Sequence, residues 1–482
     1  MSRAPMKPLV AIVGATGTGK SDLAVDLARR YNGEIINGDA MQLYQGLPII
    51  TNKITQDEMK GVPHHLLGCI GLEEETWTVG KFVGRALGVI DEIRSRGKLP
   101  ILVGGTHYYT QSLLFQDVLA DEPLLEASTN GQHFPILDEP TEVILEKLKE
   151  VDPVMADRWH PNERRKISRS LEIFFKTGKR ASKIYEEQRL RRGISPNSSD
   201  SGINKEVGDG FNLRFPTLLF WVHAPKDVLY PRLDARIVKM LDKGLMAEVY
   251  ALHDLRYDIE SRSLIAGEIT KPIDQTRGIW VSIGYKEFLE YLSARNDGAV
   301  SGEDLEKLKT AAVEKMQAAT RQYANRQIRW IRIKLLNALV GAGQKRNMVL
   351  LDGSDLSKWE EQVLQPSRQI TETFLSGNDL PEPTDLSALA REALTPKRDY
   401  DLAQRPELWQ KRVCETCGIV AVTENDWNLH IKSRGHRRAV GAKKKQESAP
   451  QRKSKEPKAV DTDILDVFED SLSQNLPTDD PR

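Results

Sequence analysis

The stretch Leu9-Val-Ala-Ile-Val13-Gly14-Ala15-Thr16-Gly17-Thr18-Gly19-Lys20-Ser21 decides the fold. Its first part, 9–13, is a short unbroken apolar run of the kind that forms a buried strand. The second part fits Gly-x4-Gly-Lys-Ser, where glycines let backbone N–H groups turn inward around an anion. Residues 22–30 read as a helix, with Leu23 and Leu27 beside Ala24 and Ala28. The N-terminus of that helix adds partial positive charge to the cradle. Lys20 suits terminal phosphate oxygens and the Ser21 hydroxyl suits a magnesium ion. A di- or triphosphate is expected here, and the pattern does not distinguish the two.

Further strand-length apolar runs stand at 34–37, 99–103, 217–222 and 348–352, separated by helical stretches such as 228–252 and 305–340. Strands alternating with helices imply an α/β fold with a parallel, P-loop-type sheet. From 140 to 192 the chain is helical and basic with no strand run, and 193–210 is a Gly/Ser/Asn/Asp-rich loop. The expected organisation is a catalytic core of 1–120 and 211–370, a helical insertion over 121–210, a Pro- and Asp-containing linker at 371–408, a small Cys/His unit at 409–440, and a disordered charged tail at 441–482.

The chain has 482 residues and zero net charge, with 69 basic and 69 acidic side chains. Charge is distributed unevenly: 163–192 carries eleven Lys/Arg against four Asp/Glu, 320–334 five against none, and 437–458 nine against two. Several basic clusters make a polyanionic partner worth expecting, although each alone suits a solvated helix face. No apolar run approaches the roughly 20 residues of a membrane span. Three cysteines exclude a disulfide scaffold, and with little chain before residue 7 a secreted product is not expected. Cytoplasmic location is expected. Arg437-Arg438 and 443–445 suit either nuclear import or RNA, and alternative starts leave a mitochondrial form open.

Asp39 follows the second strand, at the carboxyl edge where parallel sheets bind ligands. A carboxylate there serves as general base or magnesium ligand, with a helix cap as the plain alternative. Gly104-Gly105-Thr106 brings a hydroxyl to the same edge. Arg232 and Arg236 are four apart on a helix and share a face, as a clamp for a leaving diphosphate or as solvated arginines beside Asp234. Cys414-x2-Cys417-x12-His430-x5-His436 has the ligand types and spacing of a structural tetrahedral zinc site, with Trp427 expected to fill its small core. Lys432, Arg434, Arg437 and Arg438 flank it as a nucleic-acid contact surface. Cys69 is expected to be buried.

Taken together, the chain resembles the tRNA dimethylallyltransferases (tRNA isopentenyltransferases) of the eukaryotic type with a C-terminal zinc finger. The resemblance spans ordered blocks over about residues 8–340, of which two are most distinctive. One is Val151-Asp-Pro, His160-Pro-Asn and Ile167-Ser-Arg169-Ser-Leu-Glu172; the other is Thr320-Arg-Gln-Tyr-Ala-Asn-Arg-Gln-Ile-Arg-Trp330. It implies transfer of a dimethylallyl group from dimethylallyl diphosphate, with Mg²⁺, to the exocyclic amine of adenosine-37 beside the anticodon. It also implies that Asp39 is the general base. The diphosphate would be held by Gly14, Ala15, Thr16, Gly17, Thr18, Gly19, Lys20, Ser21, Thr106 and one of Arg232 or Arg236, with Arg236 preferred. Contacts to the tRNA anticodon stem-loop are implied for Asp39, Ala40, Met41 and Gln42. The same holds for Arg165, Lys166, Ile167, Ser168 and Arg169, for Val281, Ser282, Ile283, Gly284, Tyr285 and Lys286, and for Arg321 and Arg326. A monomer is expected. Asn325, Val281 and Glu163 depart from the family pattern, none at the proposed reaction centre. Two other classes fit parts of the chain: a nucleotide kinase or NTPase using the same loop, and an RNA-binding scaffold with an inactive core.

Overall fold

The computed structural model describes residues 4–116, 134–191, 212–265, 274, 275, 277–298, 300–396 and 409–447. The chain opens with β1 (Leu9–Gly14), α1 (Lys20–Arg30) and β2 (Gly33–Asn37). A short helix α2 (Gln56–Met59) leads to β3 (His64–His65), α3 (Val79–Ser95), β4 (Leu99–Val103) and α4 (His107–Leu114). Four consecutive helices follow: α5 (Thr141–Val151), α6 (Pro153–Arg158), α7 (Arg164–Thr177) and α8 (Ala181–Arg191). Then come β5 (Thr217–His223), α9 (Lys226–Asp242), α10 (Leu245–Ile265), α11 (Leu289–Asp297), α12 (Gly302–Trp330) and α13 (Leu336–Gly341). β6 (Met348–Asp352), α14 (Gln365–Leu375) and α15 (Ala388–Ala393) complete this part. The last elements are β7 (Trp409–Val413), β8 (Val420–Thr423), α16 (Glu424–Lys432) and α17 (Arg434–Glu447). Two compact units result, one from residues up to 119 with 192–399, the other from 120–191 with 400–482.

In the first unit, six parallel strands lie in the order β3-β2-β4-β1-β5-β6. Strand residues alternate between two cores, as the two-residue period of a strand requires. Leu9, Ala11, Val13, Leu219, Trp221 and Leu350 face one, and Val10, Ile12, Phe220, Val222, Val349 and Leu351 face the other. Both faces are covered, which is why the strands read as continuous apolar runs.

Several expectations change. The stretch 228–252 is two helices, because Gly244 takes a left-handed φ of 101° between α9 and α10. The segment expected as a linker from 371 begins with the end of α14 and contains α15, and Ala390, Ala393 and Leu394 pack into one of the sheet's cores. Its apolar residues are sparse among Pro, Asp and Glu, so composition hid them. Helix α17 continues to Glu447, where a disordered tail was expected. Cys69 is exposed rather than buried. The expected loop 193–210, the rest of the linker from 397 to 408 and the tail from 448 lie outside the described residues. Among the described residues, no helix is long and apolar enough to cross a membrane.

In the second unit, Ile144, Leu148, Met155, Ile167, Leu171 and Ile184 form a helical core. The hairpin β7–β8 packs on α6. The Arg158 guanidinium lies 4.4 Å from the ring centroid of Trp159, 4.6 Å from that of Trp409 and 5.3 Å from that of Tyr185. Lys411 Nζ donates to the Ala156 carbonyl at 3.2 Å. Each such cation–ring contact contributes roughly 0.5–2 kcal/mol. Arg158→Ala is therefore expected to raise amide hydrogen exchange in 409–423 about tenfold, with the β1–β6 amides unchanged. Unaltered exchange in the hairpin would remove Arg158 as its anchor.

Candidate active site and metal centre

The parallel register brings the ends of β1, β2 and β4 to one edge, and each end delivers a functional loop. After β1, the phosphate loop leads into α1, whose N-cap Gly19 has a φ of 87° and offers no side-chain cap. The first-turn amides are thus left for an anion. Thr18 Oγ1 and Lys20 Nζ both donate to the Ala15 carbonyl, at 2.9 and 2.6 Å. Ser21 is exposed on the first turn of α1.

After β2, the Asp39 N–H donates to Asn37 Oδ1 at 3.0 Å, and Asp39 Oδ1 accepts from the Met41 N–H at 2.9 Å. Asn37 Nδ2 in turn donates to the carbonyls of Asp39 and Leu66 at 3.0 and 2.9 Å. Asn37 thus fixes the backbone of Asp39, and the Met41 amide orients its carboxylate. After β4, Thr106 Oγ1 accepts from the Ala40 N–H at 2.9 Å, tying the third loop to the second.

The two arginines differ in their partners. Arg236 NH1 donates to Thr16 Oγ1 at 2.9 Å, against the phosphate loop. Arg232 donates to the Gly353 carbonyl at 2.7 Å and to the Ser354 carbonyl, anchoring the turn after β6. Asp234 pairs with Arg321 at 2.6 Å, which joins α9 to α12.

Electrostatics bind these groups together. Burial lowers the Lys20 pKa to about 8; Asp39 opposes the shift and Arg236 adds to it. Burial raises the Asp39 carboxyl, with the Met41 amide and Lys20 pulling the other way. Arg236 is lowered by burial and supported by Asp39. His107 stacks on Trp330 with centroids 5.1 Å apart, and burial, with Lys20 adding, pushes it down to about 3. It is neutral.

Gln327 and Tyr323 belong to the site, although the sequence suggested only that their helix grips RNA. Gln327 accepts from the Thr16 N–H at 2.7 Å and donates to the Gly105 carbonyl at 2.9 Å. Tyr323 OH donates to the same carbonyl at 3.4 Å. The available signal was a carboxamide at 327 among Thr320, Ala324 and Ile328, on the buried stripe of α12.

Of the residues expected to meet RNA, Ala40, Met41 and Gln42 are half-buried beside Asp39. In 281–286, Ser282, Gly284 and Tyr285 are buried, Val281 and Ile283 are half-buried, and Lys286 is exposed. Arg326 is exposed on α12. In the other unit, Arg165 and Lys166 are exposed on α7, and Ser168 and Arg169 half-buried. Ile167 is fully buried in the helical core there.

The second unit also holds Cys414, Cys417, His430 and His436, whose ligand atoms all lie within 4.8 Å of one another. The β7–β8 turn carries the thiols and the two C-terminal helices carry the imidazoles. His430 Nε2 is buried without a hydrogen-bond partner, as a nitrogen reserved for a metal would be. Two thiols and two imidazoles so converged fit a closed tetrahedral ion. Trp427 is half-buried, its ring centroid 6.1 Å from that of His430, so it covers the cluster rather than filling a core.

Anion binding should report the Lys20 ammonium. Its charge is complete below its pKa of about 8 and is lost above. Pyrophosphate affinity, measured by calorimetry, is therefore expected to fall by up to tenfold per pH unit above about pH 8. Lys20→Arg should abolish that fall. A profile unchanged by the substitution would remove Lys20 from anion binding.

A family model described as IPP transferase matches residues 42–334. The tRNA dimethylallyltransferase of Schizosaccharomyces pombe is 38% identical over 457 residues, covering 91% of this chain and 96% of that protein. The Homo sapiens tRNA dimethylallyltransferase is 36% identical, covering 89% and 85%. A crystal structure of a eukaryotic dimethylallyltransferase acting on tRNA aligns with a TM-score of 0.71 at 32% identity, covering 92% of this chain and 98% of that one. With more than half of its length matched by the family model and relatives of this identity over nearly the whole chain, it belongs to the tRNA dimethylallyltransferase (IPP transferase) family.

Proposed function

We propose that this chain transfers the dimethylallyl group of dimethylallyl diphosphate to the exocyclic N6 amine of adenosine-37 in tRNA, forming N6-isopentenyladenosine. The observation that carries the reading is the placement of Asp39, oriented by Asn37 and the Met41 amide, beside Lys20, Arg236 and Thr106 at one sheet edge. The N6 nitrogen attacks C1 of the prenyl chain, the C1–O bond breaks, and the diphosphate leaves with the bonding electrons. Asp39 takes the N6 proton. Burial makes its carboxylate a stronger base than a free one, while Lys20 and Arg236 keep it ionised. The loop amides, Lys20 and Arg236 stabilise the charge that develops on the diphosphate. Ser21 and the diphosphate oxygens would hold Mg²⁺, which supplies further charge neutralisation. Base extrusion precedes reaction, since the amine lies within a stacked loop.

A nucleoside-free donor suits the far end of the loop. A Cβ at Gly19 would lie 2.4 Å from the Trp359 indole, so that ring rests directly on the turn into α1. Arg232 anchors the backbone that carries it. An ATP-using kinase would need room for adenosine there. Cys414, Cys417, His430 and His436 would hold a structural zinc ion that fixes the start of the basic helix α17 as a phosphate-contacting surface.

Asp39→Asn is expected to lower single-turnover transfer at saturating substrates by at least a hundredfold, leaving tRNA affinity nearly intact. Activity within threefold of wild type would take Asp39 out of the mechanism. Exposed Arg434 and Arg438 are expected to bind phosphates. Their double replacement by Ala should weaken tRNA binding and reduce its log–log salt slope by roughly 0.7 for each phosphate that is no longer neutralised. An identical slope would assign the finger to another partner.

A further inference from the structure

The phosphate loop is not wholly available to its ligand. Its Thr16 N–H already donates to Gln327 Oε1 at 2.7 Å, and Gln327 is 3% exposed. The orientation of the carboxamide is determined at both ends: an N–H requires the oxygen, and the Gly105 carbonyl, 2.9 Å away, requires the nitrogen. An acceptor atom therefore sits at the entrance of the loop, on the side of the general base. A Cβ at Gly105 would lie 2.6 Å from Gln327 Nε2 and 3.1 Å from Asp39 Oδ2, so the carboxamide and the carboxylate flank the same glycine. Arg236 occupies the Thr16 hydroxyl at 2.9 Å. Thr16 is thus engaged through both its amide and its side chain by protein groups.

We propose that Gln327 is a positioning residue that withholds the Thr16 amide from the diphosphate and sets the separation between leaving group and base. With that amide taken, the anion is held by the donors from Gly17 to Ser21 and by Lys20. The carbonyl oxygen of Gln327 repels phosphate oxygens that move toward Thr16. The diphosphate is kept deep in the loop, and the reacting carbon faces Asp39. Through Gly105 the same side chain links the loop after β1 to the loop after β4, so both halves of the site keep one spacing. This inference rests on the reading of the loop as a diphosphate site.

The consequence is opposite in sign to a packing defect. Gln327→Met has similar volume but no acceptor, so it releases the Thr16 amide to the ligand. Pyrophosphate and dimethylallyl diphosphate should then bind at least threefold more tightly, while kcat falls at least tenfold and tRNA affinity is unchanged. Gln327→Glu keeps an acceptor but adds a negative charge facing the ligand, and pyrophosphate affinity should fall at least tenfold. The measurements are calorimetric titration of the full-length protein with pyrophosphate and magnesium, and single-turnover transfer. Affinity in the Met variant that is equal to or weaker than wild type overturns the proposal, as does unchanged affinity in the Glu variant. If the Met variant fails to fold, the Glu variant decides alone. Wild-type protein that binds ATP more tightly than pyrophosphate would instead overturn the donor reading, a separate result.

Discussion

The site depends on how closely backbone approaches backbone at the carboxyl edge of the sheet. A Cβ at Gly14 would lie 2.3 Å from the Val222 carbonyl oxygen, and Gly14 has a φ of 152°. Only a residue without a side chain lets β1 stay paired with β5 to its last residue and then turn at once into the phosphate loop. The neighbouring connection is equally tight, since the Gly38 N–H donates to the Val103 carbonyl at 2.7 Å. Asp39 and Thr106 therefore emerge side by side.

On that edge, Lys20, Arg236 and Asp39 form a mutually dependent set. Burial destabilises the charged form of each. The carboxylate holds the two cations in their charged state, and they do the same for it. Such an arrangement suits a reaction that creates an anion where the cations lie and moves a proton where the carboxylate lies. A rigid, partly desolvated setting makes each interaction stronger than it would be in water.

The second unit is organised on a different principle. Its helices close on a small apolar core, and its hairpin is held by an arginine among aromatic rings. Two cysteines and two histidines that could ligate one metal ion converge between that hairpin and the two terminal helices. The finger and the basic helix α7 thus share one compact body. Cationic residues such as Arg165, Lys166 and Arg434 stand exposed on it.

Local chemistry was enough to read much of this molecule from its residues. The phosphate loop is legible because its glycines, lysine and serine are contiguous, and the strands because both sheet faces are buried. The Cys/His cluster is legible because ligand spacing is a local property. Asp39 and Thr106 could be placed by position, since parallel strands put their ends on one edge. Only the tertiary structure gave Arg232 and Arg236 different partners, the turn after β6 for one and the Thr16 hydroxyl for the other, because residues four apart on a helix look alike until partners are known. It alone revealed Gln327, which lies more than 300 residues from the Thr16 amide it accepts from. It also recovered α15 from a stretch whose composition resembled a linker. Contacts across that distance leave no periodicity in the chain; they arise when the sheet forms and brings α12 against the phosphate loop.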